Sequence, residues 1–176
     1  MANIVLTGFM GTGKTTVGKL LAAQLAYTFV DTDAMIEEQA GRSIPRIFAE
    51  SGEAAFREIE RDVAKQLAER DQLVISTGGG MMVDPANVAA LSRTGRIFCL
   101  VATPEEILSR ITGDDDHVRP LLDTPNPSKR IVEILSQREQ MYGQFPQVQT
   151  TNKQPSDVAH DLRRRFAINE DIAGAN

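Results

Sequence analysis

Residues 8–15 combine glycine, lysine and threonine at a spacing suited to holding phosphate groups. They fit the pattern G-x-x-x-x-G-K-[ST], follow an apolar run at residues 4–7 and precede a helical segment at residues 14–26. Glycines let successive backbone N–H groups converge on phosphate oxygens, and the helix N-terminus adds partial positive charge. Lys14 is then expected to contact the β- and γ-phosphates and the Thr15 hydroxyl to bind Mg²⁺. The motif predicts nucleoside triphosphate binding rather than a glycine-rich turn with a solvated lysine.

Two carboxylates, Asp31 and Asp33, directly follow a second short apolar run. Open parallel sheets bind ligands at the carboxyl ends of their strands, so either carboxylate could face the γ-phosphate. Asp33 also precedes a helical segment and could serve only as its N-cap. The sequence favours neither interpretation of Asp33 over the other.

Three consecutive glycines, Gly78, Gly79 and Gly80, end the third apolar run. A simple strand-to-helix turn does not require three glycines, so the pattern predicts close approach of the backbone to a ligand. A plain flexible turn is the alternative.

Arg138 lies on the apolar stripe of a helix that is predicted from residue 127 to Tyr142. Ile131, Ile134 and Leu135 form the stripe, and the next two turns carry Arg138 and Tyr142. An arginine on a core-facing stripe needs a partner, which is either a structural carboxylate or an anionic ligand suited to the bidentate guanidinium.

Arg57 lies beside Phe56 at the edge of another apolar stripe. Glu53 and Glu60 are three or four residues away and could hold Arg57 in ordinary helix pairs. From the spacing alone, these pairs are the simpler explanation of Arg57.

Composition favours one compact domain of 176 residues with a formal charge of −5. An acidic balance argues against a protein that coats nucleic acid. Cys99 is the single cysteine and lies in an apolar run, so neither a disulfide framework nor a thiolate metal cage is expected. No apolar run approaches the roughly 20 residues of a membrane span, and no leader pattern is visible, which favours a cytoplasmic location.

The elements that must position these residues alternate between strand and helix. Short apolar runs at residues 4–7, 28–30, 73–76 and 97–101 suit parallel strands covered on both faces, and helical periodicity fills the intervals. The pattern predicts an α/β domain over residues 1–167. A polar fifth strand near Val148 is expected at a sheet edge.

Two segments depart from this alternation. The region around residues 112–124 contains Gly113 and three consecutive aspartates with little apolar periodicity, which predicts a mobile lid rather than a linker. The tail at residues 168–176 is expected to be frayed.

Taken together, these motifs resemble those of the shikimate kinases, and the resemblance extends from Ile4 to about Phe166. The matching blocks are GFMGTGKTTVG at residues 8–18, FVDTD at 29–33, GE at 52–53 followed by FR at 56–57 and Glu60, TGGG at 77–80, RPLL at 119–122, and Arg138 with Tyr142. The family fold implies a three-layer P-loop kinase with a five-stranded parallel sheet in the order 2-3-1-4-5.

The resemblance also implies a function and roles for individual residues. Members of the family transfer the γ-phosphoryl group of ATP to the 3-hydroxyl of shikimate, on the route to chorismate and the aromatic amino acids. Asp33 would engage the acceptor hydroxyl, Arg57 and Arg138 would clamp the shikimate carboxylate beside the backbone of Gly78 to Gly80, and the acceptor-binding region would span residues 33–61. Lys14, Asp33 and Arg119 would be catalytic, with Arg119 closing from the lid, and Thr15 and Asp31 (through water) would hold Mg²⁺. The implied nucleotide-binding residues are Gly11, Thr12, Gly13, Lys14, Thr15, Thr16, Arg110, Arg119, Gln154 and Pro155.

Two other classes of function remain open from the residues alone. Another small P-loop kinase, acting on gluconate or a nucleoside monophosphate, would share the phosphate loop but differ in its acceptor pocket. A nucleotide-switched binding protein would share the loop but leave Arg138 and the triple glycine unexplained. A monomer with a small-molecule substrate is the expected working form.

Overall fold

A computed structural model describes residues 2–113 and 124–173, with side chains described as far as residue 167. The strands are β1 (Asn3–Thr7), β2 (Thr28–Asp31), β3 (Leu73–Ser76), β4 (Gly95–Val101) and β5 (Gln147–Gln149). The helices are α1 (Lys14–Leu25), α2 (Thr32–Ala40), α3 (Ile44–Leu67), α4 (Pro85–Ser92), α5 (Pro104–Thr112), α6 (Pro127–Gly143) and α7 (Pro155–Ala173), and a 3₁₀ turn covers Met81–Val83.

All five strands run parallel in the order β2-β3-β1-β4-β5, which confirms the expected topology. The central strand β1 pairs with β3 and β4, and β5 is the polar edge strand. Because parallel strands end at the same edge of a sheet, the phosphate loop, Asp31 and the triple glycine come together at the carboxyl edge.

The sheet is buried on both faces, since neighbouring residues of one strand enter two different apolar clusters. Ile4 and Leu6 pack with α1 and α7, whereas Val5 packs with α3, α4, α5 and α6. This arrangement explains why the strands are continuous apolar runs rather than alternating ones. Cys99 belongs to the same cluster as Val5 and is fully buried. Burial raises the pKa of its thiol to about 11.

Two helices begin at residues whose side chains cap them. Thr103 accepts a hydrogen bond from the Glu106 amide at α5, and Asp84 accepts one from Ala86 at α4. Helix α3 is kinked at Gly52, whose φ of 80° is not helical. Helix α7 continues to Ala173, into the segment that was expected to be frayed.

The region of residues 112–124 that was expected to form a lid falls mostly outside the described residues, and so does Arg119. Within residues 2–113 and 124–173, no helix is long and apolar enough to cross a membrane.

Candidate active site

The phosphate loop leaves β1 and curls back before α1, and its glycines are required by the backbone. Gly8 and Gly13 have φ angles of 133° and 93°, and a side chain at Gly8 would overlap the carbonyl oxygen of Leu100. Gly13 is the N-cap of α1. The buried Thr12 hydroxyl donates to the Phe9 carbonyl at 2.7 Å and stabilises the curl.

Lys14 starts α1 and folds back over the loop. Its Nζ donates to the carbonyl oxygens of Gly8 and Phe9 at 2.8 and 2.9 Å. Burial lowers the pKa of Lys14 to about 8, although the charge of Asp33 acts in the opposite direction. A phosphate group beside Nζ would replace these carbonyl partners with a full negative charge.

Asp31, at the end of β2, links the phosphate loop to α2. Its Oδ1 accepts hydrogen bonds from the amides of Asp33 and Ala34, so Asp31 and not Asp33 is the N-cap of α2. Its Oδ2 accepts a hydrogen bond from the Thr15 hydroxyl at 3.3 Å. The alternative in which Asp33 acts as the helix cap is therefore wrong.

Asp33 lies in the first turn of α2 with its carboxylate against the triple-glycine turn. A side chain at Gly78 would overlap Asp33 Oδ1. Burial, reinforced by the negative charge of Asp31, raises the pKa of Asp33 to about 6, while Lys14 acts in the opposite direction. A carboxylate with this pKa can both hold a hydroxyl group and accept its proton near neutral pH.

The triple-glycine turn brings the three candidate acceptor-site side chains together. A Cβ atom at Gly79 would lie 3.4 Å from Arg138 Nη1, and one at Gly80 would lie 3.3 Å from Arg57 Nη1. With Asp33 at Gly78, each glycine faces a different functional side chain. The turn is therefore closely packed against these three side chains and is not a plain flexible turn, while the approach of a ligand to its backbone stays a prediction.

Most of the backbone groups in this turn already have partners. The Gly78 amide donates to the Thr32 hydroxyl at 2.9 Å, and the carbonyl groups of Gly78 and Gly80 accept hydrogen bonds from Met81 and Val83. Within the described residues, the amides of Gly79 and Gly80 have no acceptor. These two N–H groups are available to a ligand.

Arg138 reaches the same turn from α6. Its Nη1 donates to the Gly79 carbonyl at 2.9 Å and to the Tyr142 hydroxyl at 3.4 Å. In the part of the chain that the structure describes, no carboxylate forms an ion pair with Arg138. Its positive charge is therefore available to an anionic ligand.

Arg57 is already paired within α3. Its Nη1 lies 2.8 Å from the carboxylate of Glu60, which is 2% exposed, and its Nη2 lies 3.2 Å from Glu53. The helix pairs that the spacing suggested are present, yet Arg57 also faces Gly80. Burial raises the pKa of Glu60 against the opposing effect of Arg57.

Arg110 joins the phosphate loop to the segment after β5. Its Nη1 donates to the carbonyl oxygen of Gly11 at 3.2 Å, and its Nη2 donates to the Thr150 carbonyl and to Glu106. The Thr150 hydroxyl, buried in the fold, accepts a second bond from Nη1. Gln154 is exposed, and Pro155 begins α7 at the end of the same segment.

Three further residues, Thr32, Tyr142 and Thr150, form hydrogen bonds in the site and were not predicted to have a role there. Tyr142 was already named with Arg138, one helical turn away on the same face, and this spacing is the signal that could have indicated its role. Thr150 depends on a contact forty residues away with Arg110. No local pattern reveals a pair of that kind.

The fold and the site define a P-loop kinase for a small acceptor. A model of the shikimate kinase family matches residues 10–167. The chain is 43% identical over 168 residues to a shikimate kinase of Caldanaerobacter subterraneus subsp. tengcongensis, covering 94% of this chain and 96% of the relative. The chain belongs to the shikimate kinase family.

Solved structures agree with this family. A shikimate kinase from Acinetobacter baumannii in complex with shikimate superposes with a TM-score of 0.87 at 35% identity, covering 96% of this chain and 94% of that one. A gluconokinase from Sinorhizobium meliloti 1021 superposes with a TM-score of 0.61 at 18% identity, covering 98% of this chain and 97% of that one. The gluconokinase shares the fold alone.

Proposed function

We propose that the protein transfers the γ-phosphoryl group of ATP to the 3-hydroxyl of shikimate, which gives shikimate 3-phosphate and ADP. The observation that carries this function is the turn of residues 78–80. Its glycines face Asp33, Arg138 and Arg57 in turn, beside the phosphate loop. A carboxylate to engage a hydroxyl and two arginines to hold a carboxylate match a small hydroxylated acid.

The nucleotide is held by the phosphate loop and the start of α1. The amides of residues 11–16 surround the phosphates, and Lys14 moves from its carbonyl partners to the β- and γ-phosphates. Arg110 lies between the phosphate loop and residues 150–155. Arg110, Gln154 and Pro155 border the adenine base. The contacts of Arg110 to Gly11 and Thr150 support this placement.

The site fits a magnesium ion by the chemistry of its donors. The Thr15 hydroxyl and Asp31 Oδ2 lie 3.3 Å apart, and both are the hard oxygen ligands that Mg²⁺ prefers. Among residues 2–113 and 124–173, no group of three or more His, Cys, Asp or Glu side chains could hold a metal ion. Mg²⁺ that is bound through few protein ligands, water and phosphate oxygens needs no such group. When bound, Mg²⁺ neutralises charge on the phosphates.

The acceptor lies against residues 78–80. Arg138 and Arg57 bind its carboxylate, the amides of Gly79 and Gly80 donate hydrogen bonds to it, and Asp33 orients the hydroxyl that receives the phosphoryl group. Phosphoryl transfer through a loose transition state mainly requires positioning and charge neutralisation. Asp33 then accepts the hydroxyl proton as the new P–O bond forms and the bond between the γ-phosphorus and the β,γ-bridging oxygen breaks, which releases ADP.

Arg119 lies outside the described residues, so its proposed role comes from the resemblance to the family alone. In that role Arg119 would contact the transferring phosphoryl group from the lid. A well-placed arginine contributes about 10³ to 10⁵ in rate in related phosphoryl transfers. We further propose that the protein works as a monomer in the cytoplasm, without nucleic acid or membrane partners.

The test is ATP consumption by the purified protein with one acceptor at a time. Release of ADP should depend on shikimate and should be absent with gluconate or a nucleoside monophosphate. Lys14→Met is the control for a contaminating kinase, because it removes the phosphate contact and should lose nearly all turnover. ADP release that depends on gluconate or a monophosphate would overturn the proposal. ATP binding without any acceptor-dependent turnover would instead indicate a nucleotide-switched binding protein.

A further inference from the structure

The hydroxyl of Tyr142 takes part in a closed hydrogen-bond triangle at the acceptor site. It donates to the carbonyl oxygen of Gly79 at 3.1 Å and accepts from Arg138 Nη1 at 3.4 Å, while Nη1 also donates to the same carbonyl at 2.9 Å. Tyr142 is 5% exposed, and its ring belongs to the apolar cluster beneath the turn. A rigid, buried ring therefore holds its hydroxyl at a fixed place.

The triangle uses one nitrogen of the arginine and leaves one edge of the guanidinium open. In the described residues, Nε and Nη2 of Arg138 have no hydrogen-bond acceptor, and both face the same side of the planar group. Two parallel N–H groups of this kind match the two oxygens of a carboxylate. By contrast, the corresponding edge of Arg57 is occupied by Glu53.

We propose that Tyr142 is a positioning residue for acceptor recognition, because it fixes Nη1 of Arg138 against the Gly79 carbonyl and so presents the open edge to the acceptor carboxylate. The inference rests on the proposed shikimate kinase function. An arginine side chain has several rotatable bonds, and its immobilisation is costly on binding unless it is already held. Burial raises the pKa of the Tyr142 hydroxyl, so it stays protonated and can donate throughout the neutral range.

Tyr142→Phe separates this role from simple packing, because it keeps the ring and removes only the hydroxyl. Tyr27→Phe is the matched control, since Tyr27 is the other tyrosine of the chain and packs against Phe166 on the opposite face of the sheet. Titration calorimetry with shikimate and steady-state kinetics with both substrates give the readouts. Thermal unfolding reports any loss of stability.

We expect Tyr142→Phe to weaken shikimate binding and raise the shikimate KM about five- to tenfold. The ATP KM and kcat should stay within about twofold, and Tyr27→Phe should bind shikimate like the unchanged protein. A merely structural role would lower the melting temperature and affect both substrates alike. That result, or shikimate binding that is undiminished in Tyr142→Phe, would overturn the inference.

A double-mutant cycle tests whether the hydroxyl acts through the arginine. Arg138→Lys keeps the charge but removes the planar group, so adding Tyr142→Phe to it should cost less than about twofold in shikimate affinity. Fully additive losses would overturn the inference while leaving the proposed function intact. An unchanged protein that binds no shikimate would overturn both.

Discussion

At the scale of single residues, the site holds two ionisable groups whose pKa values are both moved towards neutrality. Burial raises the pKa of Asp33 to about 6 and lowers that of Lys14 to about 8. Between these values Asp33 is ionised and Lys14 is charged, which is the pair of states that phosphoryl transfer requires. Groups with such environments are typical of acid–base and charge-stabilising roles.

The first prediction concerns the dependence of activity on pH. The kcat/KM for shikimate should fall as the pH drops through about 6, because protonated Asp33 cannot accept a proton, and should fall again above about 8 as Lys14 loses its charge. The upper limb should move to higher pH when ATP saturates the enzyme, since phosphates favour the charged lysine. Initial rates from pH 5 to 10 measure both limbs. Constant kcat/KM between pH 5 and 7 would exclude Asp33 as the base.

Asp33→Asn should lose most of the turnover and yet stabilise the protein. The folded pKa of Asp33 exceeds its unfolded value, so its contribution to stability is greatest below pH 3.8 and is lost as the pH rises through about 6. At pH 7 the ionised carboxylate is therefore unfavourable, and its removal should raise the melting temperature by roughly 2–6 °C. The difference in melting temperature between Asp33→Asn and the unchanged protein should vanish at pH 4. A variant with lower stability at pH 7 would contradict this account.

The two arginines should contribute unequally to acceptor binding. Glu60 and Glu53 offset the charge of Arg57, whereas Arg138 has no carboxylate partner in the described part of the chain. Arg138→Lys should therefore weaken shikimate binding by about tenfold or more, and Arg57→Lys by only a few-fold, while ATP binding changes little in either variant. Titration calorimetry with each ligand decides between this order and its reverse. Equal losses for ATP and shikimate would mean that the arginines support the fold as a whole.

At the scale of elements, the features that depend on local sequence were predicted better than the features that depend on contacts between elements. The phosphate loop and the buried parallel strands follow from short stretches of sequence, because their causes are local. The kink of α3 at Gly52 was not predicted. The capping role of Asp31 was missed as well, because two aspartates near one helix start compete for the same amides.

The acceptor site shows even more clearly that contacts between elements are not predicted by local sequence. Residue types alone left Asp33 and Arg57 ambiguous, and the resemblance to a family decided their expected roles. The structure adds the pairing of each glycine in residues 78–80 with one side chain from α2, α3 or α6. Such pairing depends on the relative placement of three helices, which no single-sequence pattern encodes.

Gly78→Ala tests that pairing at the level of the turn. Its Cβ atom would overlap Asp33 Oδ1, so the carboxylate must move away from the acceptor hydroxyl. We expect kcat to fall by about 10²-fold or more while the far-ultraviolet circular dichroism spectrum is retained. Gly143→Ala is the matched control, because nothing lies within 4 Å of its added methyl group. Near-normal turnover in Gly78→Ala would show that the turn does not define the position of Asp33.

At the scale of the whole molecule, the two edges of the sheet carry different tasks. The carboxyl edge collects charged groups with few fixed partners, such as Lys14, Asp33 and Arg138. The amino edge is stabilised by Asn3, which is fully buried. The Nδ2 atom of Asn3 donates to the Arg70 carbonyl at 2.7 Å. Its Oδ1 accepts from the Leu73 amide at 2.9 Å. Stability and chemistry are thus placed at opposite ends of the same strands.

Asn3→Ala and Lys14→Met should therefore have opposite effects. Asn3→Ala leaves the Leu73 amide and the Arg70 carbonyl without their partner and should lower the free energy of unfolding by about 2–3 kcal/mol, yet kcat measured well below the melting temperature should be unchanged. Lys14→Met removes a buried charge whose lowered pKa shows that the folded state disfavours it, so kcat should collapse without loss of stability. Thermal unfolding and initial rates on both variants give the comparison. Strand β1 runs directly from Asn3 into the phosphate loop. A collapse of kcat in folded Asn3→Ala would therefore show that a change at the amino edge reaches the loop. The proposed separation of stability and chemistry between the two edges would then be wrong.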